Sequence, residues 1–143
     1  MKISTVRFGE IDIEENRIFE FALPIIGFNE LKKFVILDLN KDSLFKWLQS
    51  IEDPSLAFPL VSMFSMNADY SIDIPDDVVE KLKITNVEDL LVMNIASIPQ
   101  NEPHNTTINL LAPIIFNLAE LLAGQIILSG SGYDISFPLF KNN

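Results

Sequence analysis

The chain contains 143 residues, and its 20 acidic residues outnumber the 10 basic ones to give a formal net charge of −10. Charge of this sign repels nucleic-acid phosphates, and no basic cluster exists beyond Lys32-Lys33, which argues against direct nucleic-acid binding. Cysteine is absent, which excludes disulfides, cysteine-ligated zinc and thiol catalysis. The hydrophobic fraction of 48% supports a single domain over residues 1–143.

The sequence does not predict a targeting or membrane-spanning segment. The N-terminal residues lack the apolar core of a signal peptide. Residues 108–123 form the most apolar region, but Pro113, Asn117 and Glu120 interrupt it, and it falls short of the roughly 20 apolar residues that cross a bilayer. We therefore expect a cytoplasmic protein without membrane contact that is monomeric when free.

In chain order, the first 44 residues predict strands joined by tight turns. The predicted elements are a hairpin over residues 2–13, a strand over 17–21, a helical turn over 29–33 capped by Asn29, and a buried strand over 34–39.

Residues 45–61 predict a second hairpin, which contains the only tryptophan. Alternation places Phe45, Trp47 and Gln49 on one face of its first strand, where Trp47 is predicted to anchor the core rather than to contact a ligand. The second strand is almost continuously apolar, as expected for a strand covered on both faces. Pro59 cannot donate to a ladder and therefore predicts an edge or a bulge.

The remainder of the chain predicts more short strands and two minor helices. Strands are predicted over residues 70–74, 91–98, 106–112, 114–116 and 125–128, the two helices over 75–82 and 85–90, and a helical turn over 118–123. About ten short strands indicate a mainly β fold, a single-domain antiparallel β-barrel-like or curled-sandwich structure with one or two short helices.

The sequence contains no recognisable catalytic or metal-binding motif. Adjacent carboxylates such as Glu52-Asp53 point apart on a strand, whereas acid–base catalysis needs two carboxyls facing each other across a cleft. His104 is the only histidine and is predicted to lie in an exposed loop. We therefore expect a protein that is not an enzyme and that has no cofactor or metal.

The segment after the second hairpin is unusually rich in methionine. Met63, Phe64 and Met66 follow the predicted strand end at Val61. One interpretation is that they belong to the core, since methionine fills irregular gaps. The other is that they form a surface where the flexible thioethers and the aromatic ring bind an amphipathic helix of a partner. The residues alone leave both interpretations open.

Several blocks occur in an order that resembles the FliW family of bacterial flagellar assembly factors, and the resemblance spans nearly the whole chain. The blocks are Arg7-Phe8-Gly9-Glu10-Ile11, Trp47-Leu48-Gln49-Ser50, Asp53-Pro54-Ser55-Leu56-Ala57-Phe58, Asn109-Leu110-Leu111-Ala112-Pro113-Ile114-Ile115 and the closing Gly132-Tyr133 and Pro138-Leu139.

This resemblance implies a small cytoplasmic β-barrel without enzymatic activity that binds two partners. One is newly made flagellin, and the other is CsrA, a dimeric RNA-binding repressor of flagellin translation. Accumulated flagellin would occupy the protein and leave CsrA free to repress, whereas export of flagellin would release the protein to capture CsrA. The acidic surplus would steer the chain toward a basic partner.

The chain departs from the family pattern after Val61, over residues 62–68, where the methionine-rich segment lies. We predict a contact surface with two nearby acids, and small-molecule alternatives remain open: a β-barrel enzyme or an apolar-ligand-binding barrel. The predicted exposed contacts are Met63, Phe64, Met66, Asp69 and Tyr70, and the nearby acids are Glu52 and Asp53.

Overall fold

The computed structural model describes residues 1–66 and 69–140. The part of the divergent segment 62–68 that falls on Asn67 and Ala68, the side chain of Ser65, and residues 141–143 lie outside the described residues.

Within those ranges the chain forms eleven strands and two short α-helices. The strands are β1 (Lys2–Thr5), β2 (Gly9–Asp12), β3 (Ile18–Leu23), β4 (Lys33–Leu37), β5 (Lys46–Ser50), β6 (Ala57–Val61), β7 (Leu90–Ser97), β8 (Thr107–Ile108), β9 (Ile114–Asn117), β10 (Leu122–Gln125) and β11 (Phe137–Pro138). The helices are α1 (Met63–Met66) and α2 (Asp76–Lys81), with single 3-10 turns at Glu15–Arg17, Val87–Asp89 and Pro103–Asn105.

Seven of these strands close into a barrel. Their order is β7-β6-β5-β4-β3-β10-β9, and β9 pairs back with β7 to complete the ring. The predicted β-barrel is therefore confirmed. Six of the seven pairings are antiparallel, whereas β3 and β10 run parallel, with Ala123 opposite Phe21.

Side chains from all seven barrel strands fill the interior. Alternation along each strand sends one set of side chains inward. The inward set includes Phe19, Phe21, Phe34, Leu48, Leu60, Met93, Ile114, Phe116 and Ala123. The Phe19 and Phe116 rings meet edge to face at 4.9 Å between centroids, and Phe21 and Phe34 do so at 5.0 Å. Because side chains fill the interior, the structure does not support the alternative of a barrel that binds an apolar ligand.

The β1–β2 hairpin covers one outer side of the barrel. It packs on Val35 and Leu37, which point outward from β4, so both faces of this strand are covered and its sequence is apolar from Phe34 to Leu37. Phe8, beside the hairpin turn, meets Trp47 edge to face at 5.6 Å.

A second outer layer covers the opposite face of β7 and β9. It consists of α1, the extended segment 70–74, α2, and the β8–β11 pair. Val61, Tyr70, Val78, Leu82 and Ile115 are buried in this layer.

Hydrogen bonds from side chains explain two departures from the sequence prediction. Residues 118–123 form a turn and the start of β10 rather than a helical turn. Asn117 Oδ1 accepts hydrogen bonds from the N–H groups of Ala119 and Glu120, and Leu121 adopts a left-handed φ of 56°. The helical segment predicted over residues 85–90 is only the 3-10 turn Val87–Asp89, which is capped by Asn86, whose Oδ1 accepts from Glu88 N.

Three further predictions are corrected by tertiary pairing. Residues 29–33 form turns without a helix before β4 begins at Lys33. The burial of residues 70–74 alternates as in an extended chain, but the segment pairs with no strand among the described residues. β6 lies between β5 and β7 rather than at an edge, but Pro59 is tolerated because the register with β7 includes only Leu60 and Val61.

Candidate protein-binding surface

Helix α1 divides the methionine-rich segment between core and surface. It directly follows β6, and Met63 is only 5% exposed in the layer that covers β7. Phe64 and Met66 are 51% and 50% exposed. The predicted exposure is therefore wrong for Met63, which anchors the helix, and it is confirmed for Phe64 and Met66.

Tyr70 is the second predicted contact that lies in the core, with 3% of its surface exposed. Its hydroxyl donates to Leu110 O at 2.7 Å and accepts from Asn94 Nδ2 at 3.0 Å. Burial raises the pKa of the Tyr70 phenol above its ordinary value. Tyr70 therefore holds the extended segment against the barrel, whereas Asp69 beside it is exposed.

The predicted nearby acids lie at the other end of β6. Glu52 and Asp53 lie in the connection that precedes β6, whereas α1 follows its end, and five extended residues span about 17 Å. Glu52 Oε1 accepts from the backbone N–H groups of Lys32 and Lys33 at 2.6 and 2.8 Å. Asp53 Oδ1 accepts from the N–H and hydroxyl of Ser55, which lowers the Asp53 pKa. Both carboxylates therefore organise turns before β6, and their part in a contact surface stays a prediction.

Replacing Glu52 with Gln is expected to flatten the dependence of stability on pH in acid. The Lys32 and Lys33 N–H groups hold the pKa of Glu52 below its ordinary value of 4.5. A lowered folded-state pKa contributes stability above the unfolded-state pKa, and this contribution is lost as the pH falls through the folded-state pKa. Urea unfolding between about pH 3 and pH 7 measures the effect. Identical pH profiles for Glu52→Gln and the unmodified chain would contradict this role.

A groove beside Trp47 was not predicted from the sequence. It measures about 680 Å³, and its lining includes Arg7, Trp47, Pro59, Ile98 and Pro99. The Arg7 guanidinium lies 4.4 Å above the Trp47 ring. Trp and Arg are the residue types enriched at protein-binding hot spots. The sequence features that could have indicated this groove are Trp47, on the outward face of β5, and the Arg7-Phe8 block that lies beside it. Trp47 was instead predicted to lie in the core.

A search for metal and membrane features among residues 1–66 and 69–140 gives two negative results. No group of three or more His, Cys, Asp or Glu side chains is placed to hold a metal ion. No helix in the same residues has the length and apolar character needed to cross a membrane. His104 lies in the exposed 3-10 turn Pro103–Asn105.

Comparison with known proteins gives the same family as the sequence blocks. The family model described as FliW protein matches residues 2–139. The chain belongs to the FliW family. It is 40% identical over 141 residues to the flagellar assembly factor FliW of Clostridium novyi (strain NT), covering 99% of this chain and 98% of that protein. It is 41% identical over 142 residues to FliW of Syntrophus aciditrophicus (strain SB), covering 99% and 89%.

A solved FliW structure has the same architecture. The crystal structure of the flagellar assembly factor FliW superimposes with a TM-score of 0.91 at 37% sequence identity, covering 99% of both chains. The FliW resemblance carried by the sequence blocks is thereby confirmed.

Proposed function

We propose that this chain is a flagellar assembly factor that works in the cytoplasm by binding proteins rather than by catalysis. The observation that carries the proposal is the FliW family match over residues 2–139. Relatives of nearly equal length, including those from Clostridium novyi and Syntrophus aciditrophicus, are named flagellar assembly factors.

The partners proposed are flagellin and CsrA, in the switch that the family resemblance implies. Flagellin that accumulates in the cell occupies the protein and leaves CsrA free to repress flagellin translation. Export of flagellin frees the protein to sequester CsrA. The net charge of −10 supports electrostatic attraction of a basic partner and adds an electrostatic cost to the approach of RNA phosphates.

Phe64 and Met66 are the side chains proposed to contact a partner. Both project from α1 while Met63 fixes the helix to the layer beneath. An aromatic ring beside a flexible thioether accommodates the apolar face of an amphipathic helix. Asp69 is exposed three residues beyond Met66 and would favour a basic residue on that partner.

Replacing Phe64 with Ala is expected to weaken partner binding by about 1–2 kcal/mol, which corresponds to a five- to thirtyfold rise in Kd. Titration calorimetry with purified flagellin and with purified CsrA measures the effect. Phe140→Ala is the matched control, since Phe140 is also a partly exposed phenylalanine and lies near the end of the described chain. An unchanged Kd for both partners would remove Phe64 from the contact surface.

The function itself is tested by the same titrations on the unmodified chain. We expect saturable binding of flagellin and of CsrA, and an association rate with CsrA that falls as salt rises. A salt-independent rate would contradict electrostatic steering. The absence of binding to both purified partners would overturn the proposed function.

A further inference from the structure

We propose that an open groove on the acidic side of the molecule binds an extended, basic segment of a partner protein by adding it as a strand. The groove has a volume of about 660 Å³, and its lining includes Ser71, Asp73, Pro75, Ile127, Ser131 and Tyr133. Phe64 and Met66 do not line it. The inference therefore adds a second surface and holds whether or not flagellin and CsrA are the partners.

One wall of the groove is an extended segment with unpaired backbone groups. Ile72 and Ile74 pack into the layer beneath, whereas Ser71 and Asp73 point outward. The Tyr133 hydroxyl fixes the start of the segment, accepting from Ser71 N at 2.9 Å and donating to Ser71 O at 3.2 Å. The backbone groups of Ile72, Asp73 and Ile74 make no hydrogen bond with any described residue.

The other wall offers the same backbone chemistry at Ile127. Ile126 N donates to Pro113 O at 3.0 Å, and Leu128 N donates to Leu111 O at 2.8 Å. Alternate residues of an extended chain direct their N–H and C=O groups to opposite edges, so those of Ile127 face away from residues 111–113. In the described part of the chain they have no hydrogen-bond partner. The Ile127 side chain lines the groove and is 55% exposed.

The charges around the groove select a basic occupant. Asp73 lines the groove, and Asp69 and Asp134 line an adjoining depression that shares Tyr133. No Lys or Arg is found in the described lining of either concavity. Over residues 54–140 the sequence has ten acidic residues and two basic ones, whereas residues 1–53 have ten and seven. The negative surplus is therefore concentrated in the part of the chain that builds this groove.

These features fit an extended segment better than a helix. A helix satisfies its own backbone groups, whereas a strand presents N–H and C=O groups along both edges for the two walls of the groove. Alternating side chains of a strand point to opposite faces. An occupant with alternating apolar and basic residues would place its apolar side chains toward the buried Leu128 and its cations on the outer face near Asp73.

Backbone pairing is tested by titrating the ¹⁵N-labelled full chain with a capped hexapeptide of alternating lysine and valine. We expect saturable binding, with the amide proton signals of Asp73 and Ile127 moving downfield, because the backbone groups of Asp73 lie on the same edge as those of Ser71, which face Tyr133 in the groove. Each of the two hexapeptides N-methylated at alternate residues should bind about tenfold more weakly, because methylation removes the N–H donors from one of the two edges that pair with the walls. A glutamate–valine hexapeptide should not bind.

Paired variants separate this site from general attraction to an acidic protein. Asp73→Lys is expected to weaken binding of the lysine–valine peptide by about fivefold or more, since it replaces an attraction near the peptide with a repulsion. Glu120→Lys makes the same change of charge at a residue outside the groove lining and should alter Kd by less than about twofold. Equal effects of the two charge variants, undiminished affinity of both N-methylated peptides, or no saturation at millimolar peptide would overturn the proposal.

Discussion

Phe116→Ala is expected to lower the free energy of unfolding by about 3–5 kcal/mol, a large fraction of the total for a domain of this size. The Phe116 ring is fully buried and lies edge to face with Phe19 and Phe21, at 4.9 and 6.0 Å between centroids. Its strand is paired on both sides, with β7 and with β10. The backbone cannot collapse into the space that the ring leaves, so the cavity cost adds to the lost burial.

Urea unfolding followed by tryptophan fluorescence measures this loss, with Trp47 as the single reporter. The matched control is Phe64→Ala, which removes the same atoms from a half-exposed position and should change stability by less than about 0.5 kcal/mol. Similar losses for the two variants would mean that the barrel interior is not the main source of stability.

The strands that sequence predicts best are those with one face buried against the barrel interior. Residues 17–21 were predicted as a strand, and Phe19 and Phe21 within it both point inward. The β5–β6 hairpin was predicted over residues 45–61 from side-chain alternation. Period-two patterns predict these elements because burying one face is a local requirement that each strand meets in its own sequence.

The pairing of strands that lie far apart in the chain could not be predicted from the sequence. The parallel contact of β3 with β10 brings Phe21 beside Ala123, and no local pattern specifies which distant strand will lie there. Residues 118–123 looked helical by composition, but the Asn117 side chain competes for the first N–H groups of that turn.

The candidate surface was predicted only in part for the same reason. Met63 and Phe64 are neighbours on a helix of one turn, and which of them is buried depends on the segment that packs over β7. Tyr70 looked like a contact residue in the sequence, but Asn94 and Leu110, far away in the chain, supply partners for its hydroxyl in the core. Composition identified the segment, whereas tertiary packing selected the side chains that remain exposed.

Asn117→Asp is expected to lower the free energy of unfolding by about 3 kcal/mol at pH 7. The effect is large although the side chain keeps nearly the same size, because an amide becomes a carboxylate. Asn117 is 2% exposed, and its Nδ2 donates to Leu82 O at 2.8 Å and to Lys83 O at 3.2 Å. These bonds join the end of β9 to the end of α2, where Lys83 adopts a φ of 52°. The variant loses both donors and places a buried negative charge against two carbonyl oxygens.

The pH dependence of Asn117→Asp distinguishes charge burial from a simple loss of hydrogen bonds. The N–H groups of Ala119 and Glu120 still donate to one oxygen of the new carboxyl, but burial and the two carbonyl oxygens outweigh them and raise its folded-state pKa above the unfolded value of about 3.9. The folded variant then binds a proton more tightly than the unfolded chain. Its free energy of unfolding therefore falls, relative to the unmodified protein, as the pH rises above about 4. At lower pH the difference becomes smaller, because the protonated carboxyl donates to one of the two carbonyl oxygens. Asn16→Asp, at an exposed position, should stay within about 0.5 kcal/mol of the unmodified chain. A loss for Asn117→Asp that does not vary with pH would contradict charge burial and reduce the role of Asn117 to its two donated hydrogen bonds.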